Sequence, residues 1–109
     1  MELKQNGTVL IAKIHEDIDH SNAILLRKKI DEKIKSREIT ELLFDFSELE
    51  FMDSSGIGMI LGRYKIMQSL GGKVYISGVN ENLMKIINIS GLHKIIPIYD
   101  AKDKEELKL

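Results

Sequence analysis

Short apolar segments typical of strands alternate along the chain with longer segments whose apolar residues recur every three or four positions. The first two strand-like segments surround Asn6-Gly7, a dipeptide that suits a two-residue type I′ hairpin turn. The last one contains Pro97, which cannot donate a ladder hydrogen bond, so we expect it at a sheet edge or end. The predicted strands cover residues 1–5, 8–14, 41–46, 73–77 and 94–99.

The helix-like segments lie between these strands. Ser21 or Asn22 can cap the first helix and Asn80 can cap the third. Leu70-Gly71-Gly72 ends the second helix, and Gly91 follows the third. The predicted helices cover residues 23–36, 54–69 and 80–89, with a last one from about residue 102. In the first helix, the apolar residues at helical spacing are Ala23, Leu26, Ile30 and Ile34.

The order β-β-α-β-α-β-α-β-α predicts an α/β fold, with a small, mostly parallel or mixed sheet and helices packed on it. The 109 residues predict one domain spanning 1–109. In such folds, ligand and partner sites tend to lie outside the carboxyl ends of the strands. The loop at residues 47–55 is one such place, and it leads into the most unusual part of the sequence.

Residues 51–65, FMDSSGIGMILGRYK, carry three glycines within a predicted helix. Each glycine costs up to ~1 kcal/mol relative to alanine in a helix interior, so close packing or function should compensate. A helical wheel predicts a core face of Ile57, Ile60, Leu61, Tyr64 and Met67. It predicts a separate stripe of small residues, flanked by Met59 and Ile66 pointing away from the core: Ser54, Gly58, Gly62 and Ser69. Either another protein approaches this stripe closely or another helix of the same domain covers it.

Ser54 stands at the start of this helix. It can be an ordinary N-cap, but Asp53 can cap equally well and would leave Ser54 facing solvent. A helix N-terminus can hold a phosphate. In a close-packed interface, the added negative charge would be repelled by other negative groups and would lose its hydration. The acidic loop at residues 16–20 is either a solvated turn or supplies a carboxylate, Asp19, for a basic residue of a partner.

Composition narrows the choice of function. The 16 Lys and Arg against 17 Asp and Glu give a net charge of −1, which provides no strong attraction to nucleic acid or an anionic membrane. Without cysteine and with three scattered histidines, neither a disulfide framework nor a zinc site is expected, and we predict no metal and no cofactor. A polar N-terminus and the lack of a membrane-length apolar run predict a cytoplasmic protein.

Residues 51–58 and 60–65 resemble the signature of the bacterial anti-sigma factor antagonists, the STAS domains. The Leu61–Lys65 run is most similar to the sporulation sigma-F type. Further matches extend the resemblance over nearly the whole chain: Ile18-Asp19-His20 with Ala23, and Ser90-Gly91-Leu92 with Lys94-Ile95-Ile96. Glu16 stands where the family often has glycine, which implies an altered turn there.

The resemblance implies a regulatory protein that is not an enzyme and is monomeric when free. Its unphosphorylated form would bind an ATP- or ADP-bound anti-sigma factor, itself a serine kinase, and so release the sigma factor. Phosphorylation of Ser54 would switch it off until a metal-dependent serine phosphatase restores it. Asp19 carries over as a kinase contact and Ser55 as a neighbour needed for interaction or phosphorylation. The predicted partner-binding residues are Asp19, Asp53, Ser55, Gly56, Ile57, Gly58, Met59 and Gly62.

Other interpretations remain open. Gly56-x-Gly58-xxx-Gly62 faintly resembles a dinucleotide-binding loop, but its spacing misses G-x-G-x-x-G. A serine hydrolase would need a nucleophile elbow, and none of His15, His20 and His93 is placed as a base. A STAS domain of a general stress-response circuit would share the mechanism and differ only in its partners. A purely structural scaffold would be indifferent to a charge at Ser54.

Overall fold

The computed structural model describes residues 1–36 and 38–99. Strand β1 is followed by a second strand, β2, and each later strand follows a helix. The elements are β1 (Glu2–Asn6), β2 (Val9–Lys13), α1 (Ala23–Ser36), β3 (Glu41–Asp45), α2 (Ser54–Ser69), β4 (Lys73–Ser77), α3 (Glu81–Ser90) and a short 3₁₀ turn at Leu92–Lys94. The helix predicted from about residue 102 lies outside the described residues.

The strands form one mixed sheet in the order β1-β2-β3-β4. β1 runs antiparallel to β2, whereas β2, β3 and β4 run parallel to one another. This follows from the connections, since a two-residue turn joins antiparallel neighbours and parallel neighbours need a longer crossover. The predicted α/β class is confirmed. Because the three parallel strands end at the same edge, the loops after β2 and β3 meet there.

The hairpin turn lies one residue later than the sequence pattern predicted. Asn6 pairs with Val9, so the two loop residues are Gly7 and Thr8 rather than Asn6 and Gly7. Gly7 has φ +63°, a left-handed conformation that glycine adopts without steric cost. The glycine therefore occupies the first loop position, and the asparagine ends the strand.

The strand predicted at residues 94–99 is wrong as a continuous strand. Residues 92–94 form the 3₁₀ turn, and only Ile98 makes an isolated parallel bridge, to Ile76 of β4. Ile76 donates its N–H to the Pro97 carbonyl at 3.1 Å, and Tyr99 donates to the Ile76 carbonyl at 2.8 Å. Pro97 has no N–H with which to extend the ladder, and the predicted edge position is confirmed.

The core joins the sheet to apolar faces of the helices. In α1 the four predicted core residues are all buried, as a 3.6-residue period requires: Ala23, Leu26, Ile30 and Ile34. α3 contributes Leu83 and Ile87, and its ends match the predicted caps. Asn80 accepts a hydrogen bond from the Leu83 N–H at 2.8 Å, and Gly91 has φ +78°.

Helix α2 begins and ends at the predicted residues, but its predicted core face is wrong in part. Its buried residues are Gly56, Met59, Ile60, Arg63 and Met67. Ile57, Leu61 and Tyr64, predicted as core, are only partly buried against it, as is Ile66, which was predicted to point away. Met59, also predicted to point outward, is 4% exposed. The helix is rotated from the predicted orientation because a charged residue, Arg63, belongs to its inner face.

Candidate functional site

Asp53 caps helix α2 and leaves Ser54 outside the cap. Asp53 has an extended backbone, and its carboxylate accepts a hydrogen bond from the Ser55 N–H at 2.8 Å. Its main-chain carbonyl accepts from the Gly56 N–H at 3.0 Å. Ser54 is therefore the first residue of the helix, and its side chain is exposed. The hydroxyl lies where the partial positive charge of the helix N-terminus favours an anion.

The loop after β2 is hydrogen-bonded to the loop that carries Asp53. The Asp17 carboxylate accepts from the Glu50 and Phe51 N–H groups at 3.2 and 3.1 Å. Asp53 donates its N–H to the Ile18 carbonyl at 3.0 Å. These bonds fix the backbone immediately before Ser54. Sequence analysis missed Asp17, because its partners lie 33 and 34 positions away and no local motif marks them.

Asp19 organises the turn that leads into α1. Its carboxylate accepts from the Ser21 hydroxyl at 2.5 Å, the Ser21 N–H at 2.8 Å and the Asn22 N–H at 3.2 Å. These bonds, led by the one from the Ser21 hydroxyl, hold the pKa of Asp19 below its usual range. The prediction that the side chain of Ser21 or Asn22 caps α1 is therefore wrong, since the Asn22 amide oxygen accepts from the Asp19 N–H instead. Asp19 itself is exposed.

Two of the predicted partner-binding residues lie inside the protein. A Cβ added at Gly56 would lie 2.9 Å from Met52 Cβ and 3.2 Å from Ile18 Cγ2. Gly56 is therefore needed so that α2 can pack against the two loops. Met59 is also buried, in contact with the core. Both residues pack against the rest of the domain, although Met59 also lines the groove between α1 and α2, and their predicted role in partner binding stays a prediction.

Ser54 lies at the rim of an apolar groove between α2 and α3, which we call the α2–α3 groove. The groove has a volume of about 290 Å³. Phe51 and Ile89 are 52% and 87% exposed, which is unusual for large apolar side chains at one site. The residues that line it with Ser54 include Phe51, Asp53, Ile57, Ile86 and Ile89. The apolar surface beside Ser54 is therefore not the predicted one, since Met59 and Ile66 do not line it and the loop before α2 and helix α3 supply most of it.

A second groove, the α1–α2 groove, lies on the other side of α2 and has a volume of about 350 Å³. Its lining includes His20, Ile24 and Arg27 from the α1 side and Ser55, Gly58 and Gly62 from α2. A Cβ added at Gly58 or Gly62 would meet nothing within 4 Å. Of the predicted stripe of small residues, Gly58 and Gly62 thus form part of one wall of this groove, whereas Ser54 lines the α2–α3 groove.

Arg63 and Asp31 form an ion pair between α2 and α1. Arg63 Nε lies 2.9 Å from Asp31 Oδ1, and the arginine side chain is 8% exposed. Burial lowers the pKa of Arg63, and the nearby Asp31 carboxylate acts in the opposite direction. The arginine also donates from Nη1 to the Met59 carbonyl at 3.4 Å. Sequence analysis did not assign Arg63 a position, because an arginine in an apolar stretch usually marks the solvent face.

None of His15, His20 and His93 lines the groove that Ser54 lines. His15 lies between Glu2 and Glu48, and its Nε2 is 3.1 Å from the Glu2 carboxylate. His20 lines the α1–α2 groove, whereas Ser54 lines the α2–α3 groove. Within residues 1–36 and 38–99, no three His, Cys, Asp or Glu side chains are grouped as a metal ion would require. In the same part of the chain, no helix is both long enough and apolar enough to cross a membrane.

Comparison with known proteins gives consistent matches over most of the chain. The profile of the STAS domain matches residues 1–105. The anti-sigma F factor antagonist of Paenibacillus polymyxa is 38% identical over 100 residues, which cover 92% of this chain and 86% of that protein. The anti-sigma-B factor antagonist of Bacillus subtilis is 29% identical over 98 residues, covering 90% of this chain and 88% of its own length.

Solved protein structures also match this chain over most of its length. The anti-sigma factor antagonist SpoIIAA in its unphosphorylated form has a TM-score of 0.85 and 26% identity, covering 97% of this chain and 91% of that one. The phosphorylated form of the Bacillus cell fate determinant SpoIIAA has a TM-score of 0.77 at 26% identity, covering 98% of this chain and 96% of that one. The mixed sheet and its helices are thus shared with proteins whose names specify regulation of sigma factors.

Proposed function

The chain belongs to the STAS-domain family, and on that premise we propose that it is an anti-sigma factor antagonist whose switch residue is Ser54. One observation carries the proposal. Asp53 makes the cap of α2, so the exposed Ser54 hydroxyl is not needed for the fold and stands beside an exposed apolar groove. The family relationship and the similarity to the P. polymyxa protein support the same function.

In the unphosphorylated state, the α2–α3 groove would receive an apolar surface of an anti-sigma factor. Phe51 and Ile89 are the most exposed apolar groups there and would be the main contacts. Burying such side chains at an interface releases water and contributes most of the binding free energy. Binding of the antagonist would displace the sigma factor from its inhibitor.

In the phosphorylated state, the γ-phosphoryl group of ATP would be transferred to Ser54 Oγ by the anti-sigma factor acting as a serine kinase, with loss of the hydroxyl proton and release of ADP. The added group carries about −1.5 to −2 charges near neutral pH. The N-terminus of α2 favours this charge, so the fold tolerates it. At the rim of an apolar interface beside Asp53, however, the same charge would be repelled and desolvated. Phosphorylation would therefore prevent partner binding without unfolding the domain.

The remaining parts of the proposal follow from the family. A serine phosphatase would remove the phosphate, and the protein would act in the cytoplasm, where sigma factors bind RNA polymerase. The chain would have no catalytic activity of its own. It would be a single domain over residues 1–109 and monomeric when free. The similarity to the P. polymyxa protein favours sporulation control of the sigma-F type, and the similarity to the B. subtilis anti-sigma-B factor antagonist favours a general stress circuit less strongly.

The docking surface can be tested at Ile89. We expect Ile89→Asp to weaken binding to the anti-sigma factor encoded in the same genome by about 30-fold, because the charge is desolvated at an apolar interface. Since Ile89 is 87% exposed, the melting temperature should fall by no more than a few degrees, the mild cost of an acidic group near the C-terminus of α3. Isothermal titration calorimetry and a thermal melt measure the two quantities.

Leu25→Asp is the matched control for this substitution. Leu25 is 56% exposed on α1 and does not line the α2–α3 groove. The control makes the same change of charge and should bind as the wild type does. Equal affinities for the two variants would show that the partner docks elsewhere.

A further inference from the structure

The α1–α2 groove holds basic side chains that the proposed switch at Ser54 does not use. His20 and Arg27 line it from the α1 side, and Arg63 lines it from α2. Asp31 neutralises one guanidinium, since it lies against Arg63 Nε. Arg27 then remains as a positive charge, and its repulsion of Arg63 helps to lower the pKa of that buried group. The groove therefore carries an excess of positive charge, although the whole chain has a net charge of only −1.

The buried arginine also has hydrogen-bond donors to spare. Arg63 is 7% exposed, and a guanidinium carries five N–H donors. Asp31 is 2.9 Å from Nε but is not aligned for a hydrogen bond, so both atoms are left without one among the described residues. The single bond from Nη1 to the Met59 carbonyl is long, at 3.4 Å. Arg63 lines the groove, and among the described residues its Nη atoms make no other hydrogen bond, so they can donate to an acceptor that enters it.

The α2 wall of the groove leaves room for an acceptor to enter. Gly58 and Gly62 have no side chains, and a Cβ at either position would meet nothing within 4 Å. Ser55 adds a hydroxyl to the same wall, and Ile24 adds an apolar side chain that is 48% exposed. This combination of the unneutralised Arg27, the further guanidinium donors of Arg63, a hydroxyl and an apolar edge suits a carboxylate on a short aliphatic stem. Arginine binds carboxylates through paired N–H donors, which a carboxylate can accept on both oxygens.

We propose that the α1–α2 groove receives an acidic side chain, aspartate or glutamate, of the same protein partner that docks at the α2–α3 groove. The inference rests on the proposed function for the identity of the partner. Ser55 and Ser54 line opposite sides of the start of α2, so one partner could contact both grooves across it. The α1–α2 groove would then form an ion pair with the partner that a phosphate on Ser54 does not directly block.

The test uses Arg27, which is exposed, so its replacement should not unfold the protein. We expect Arg27→Glu to weaken binding to the anti-sigma factor by about 50-fold and Arg27→Ala by about 10-fold in calorimetric titrations. The difference should shrink when salt is raised from about 50 to 300 mM, because the interaction is between charges. Changing the partner's acidic residue to arginine should restore binding to Arg27→Glu.

Two further variants separate this contact from general charge effects. Lys29→Glu makes the same charge change on α1 at a residue that does not line the groove, and it should bind within about 2-fold of the wild type. Gly62→Leu leaves every charge in place but fills the groove, and it should weaken binding about 10-fold.

The outcomes distinguish this inference from the function on which it rests. If Arg27→Glu binds like Lys29→Glu while Ser54→Asp still loses binding, the groove takes no acidic side chain and the switch at Ser54 stands. If neither Arg27→Glu nor Ser54→Asp affects binding, the proposed function itself is wrong.

Discussion

Replacement of Ser54 by aspartate is expected to weaken binding to the anti-sigma factor on the order of 100-fold, because a like-charge or desolvated-charge penalty of several kcal/mol falls at the interface. The carboxylate would stand beside Asp53, at the rim of a groove whose most exposed members are Phe51 and Ile89. Calorimetric titration measures the loss directly. The variant should melt within a few degrees of the wild type, since an acidic group at a helix N-terminus is favourable.

The matched control for that variant is Ser54→Asn. Asparagine has nearly the shape of aspartate and no charge, so it separates the bulk of the new side chain from its electrostatic effect. We expect its affinity to lie within about 5-fold of the wild-type value, since no full charge must then lose its hydration. Equal, strong losses for both variants would show that space at Ser54, and not charge, limits binding. If both variants bound with wild-type affinity, the protein would be a scaffold whose partner binding does not depend on Ser54.

The second large effect is on stability, at Met59. Met59→Lys should lower the free energy of unfolding by about 3 kcal/mol or more, because it places an ammonium group without a partner in the core. The 4% exposure of Met59 and its position beside the positively charged Arg63 allow little relief. For a domain of this size, the melting temperature should fall by roughly 10–20 °C.

Leu70→Lys provides the comparison for Met59→Lys. Leu70 follows the last residue of α2 and is 62% exposed, so the same new side chain reaches solvent there. A positive charge near a helix C-terminus is also favourable. Its melting temperature should therefore stay close to that of the wild type. A small change for Met59→Lys in the same thermal melts would contradict the packing of α2 described above.

The sequence predicted the bounds of α2 to the residue but not the face that it buries. The bounds follow from local chemistry, since Asp53 caps the start and Gly71, at φ +76°, follows the C-cap Leu70. The buried face depends on tertiary contacts instead. Apolar residues surround much of the helix, and Arg63 is buried only because Asp31 of α1 lies against it. No periodicity in α2 alone contains that information, so the orientation of Met59 was predicted wrongly.

For the candidate site as well, local features could be predicted from the sequence and long-range contacts could not. That Ser54 would be exposed behind an Asp53 cap could be predicted from three adjacent residues and a helix start. The α2–α3 groove could not, since Phe51 and Ile89 come from elements far apart in the chain. The bonds from Asp17 to Glu50 and Phe51 are likewise long-range. Local chemistry thus predicted a possible cap at Asp53, the family resemblance indicated Ser54 as the switch residue, and the surface around Ser54 required the fold.

The proposed switch is tested most directly by the intact mass of the wild-type chain after incubation with magnesium ATP and the anti-sigma factor from the same genome, followed by fragment mapping. We expect a gain of one phosphate, about 80 Da, on Ser54. We expect no gain for Ser54→Ala, although that variant should still bind the anti-sigma factor. A phosphate on another residue, or no gain while the same kinase preparation binds the wild-type chain and hydrolyses ATP, would contradict the proposed switch.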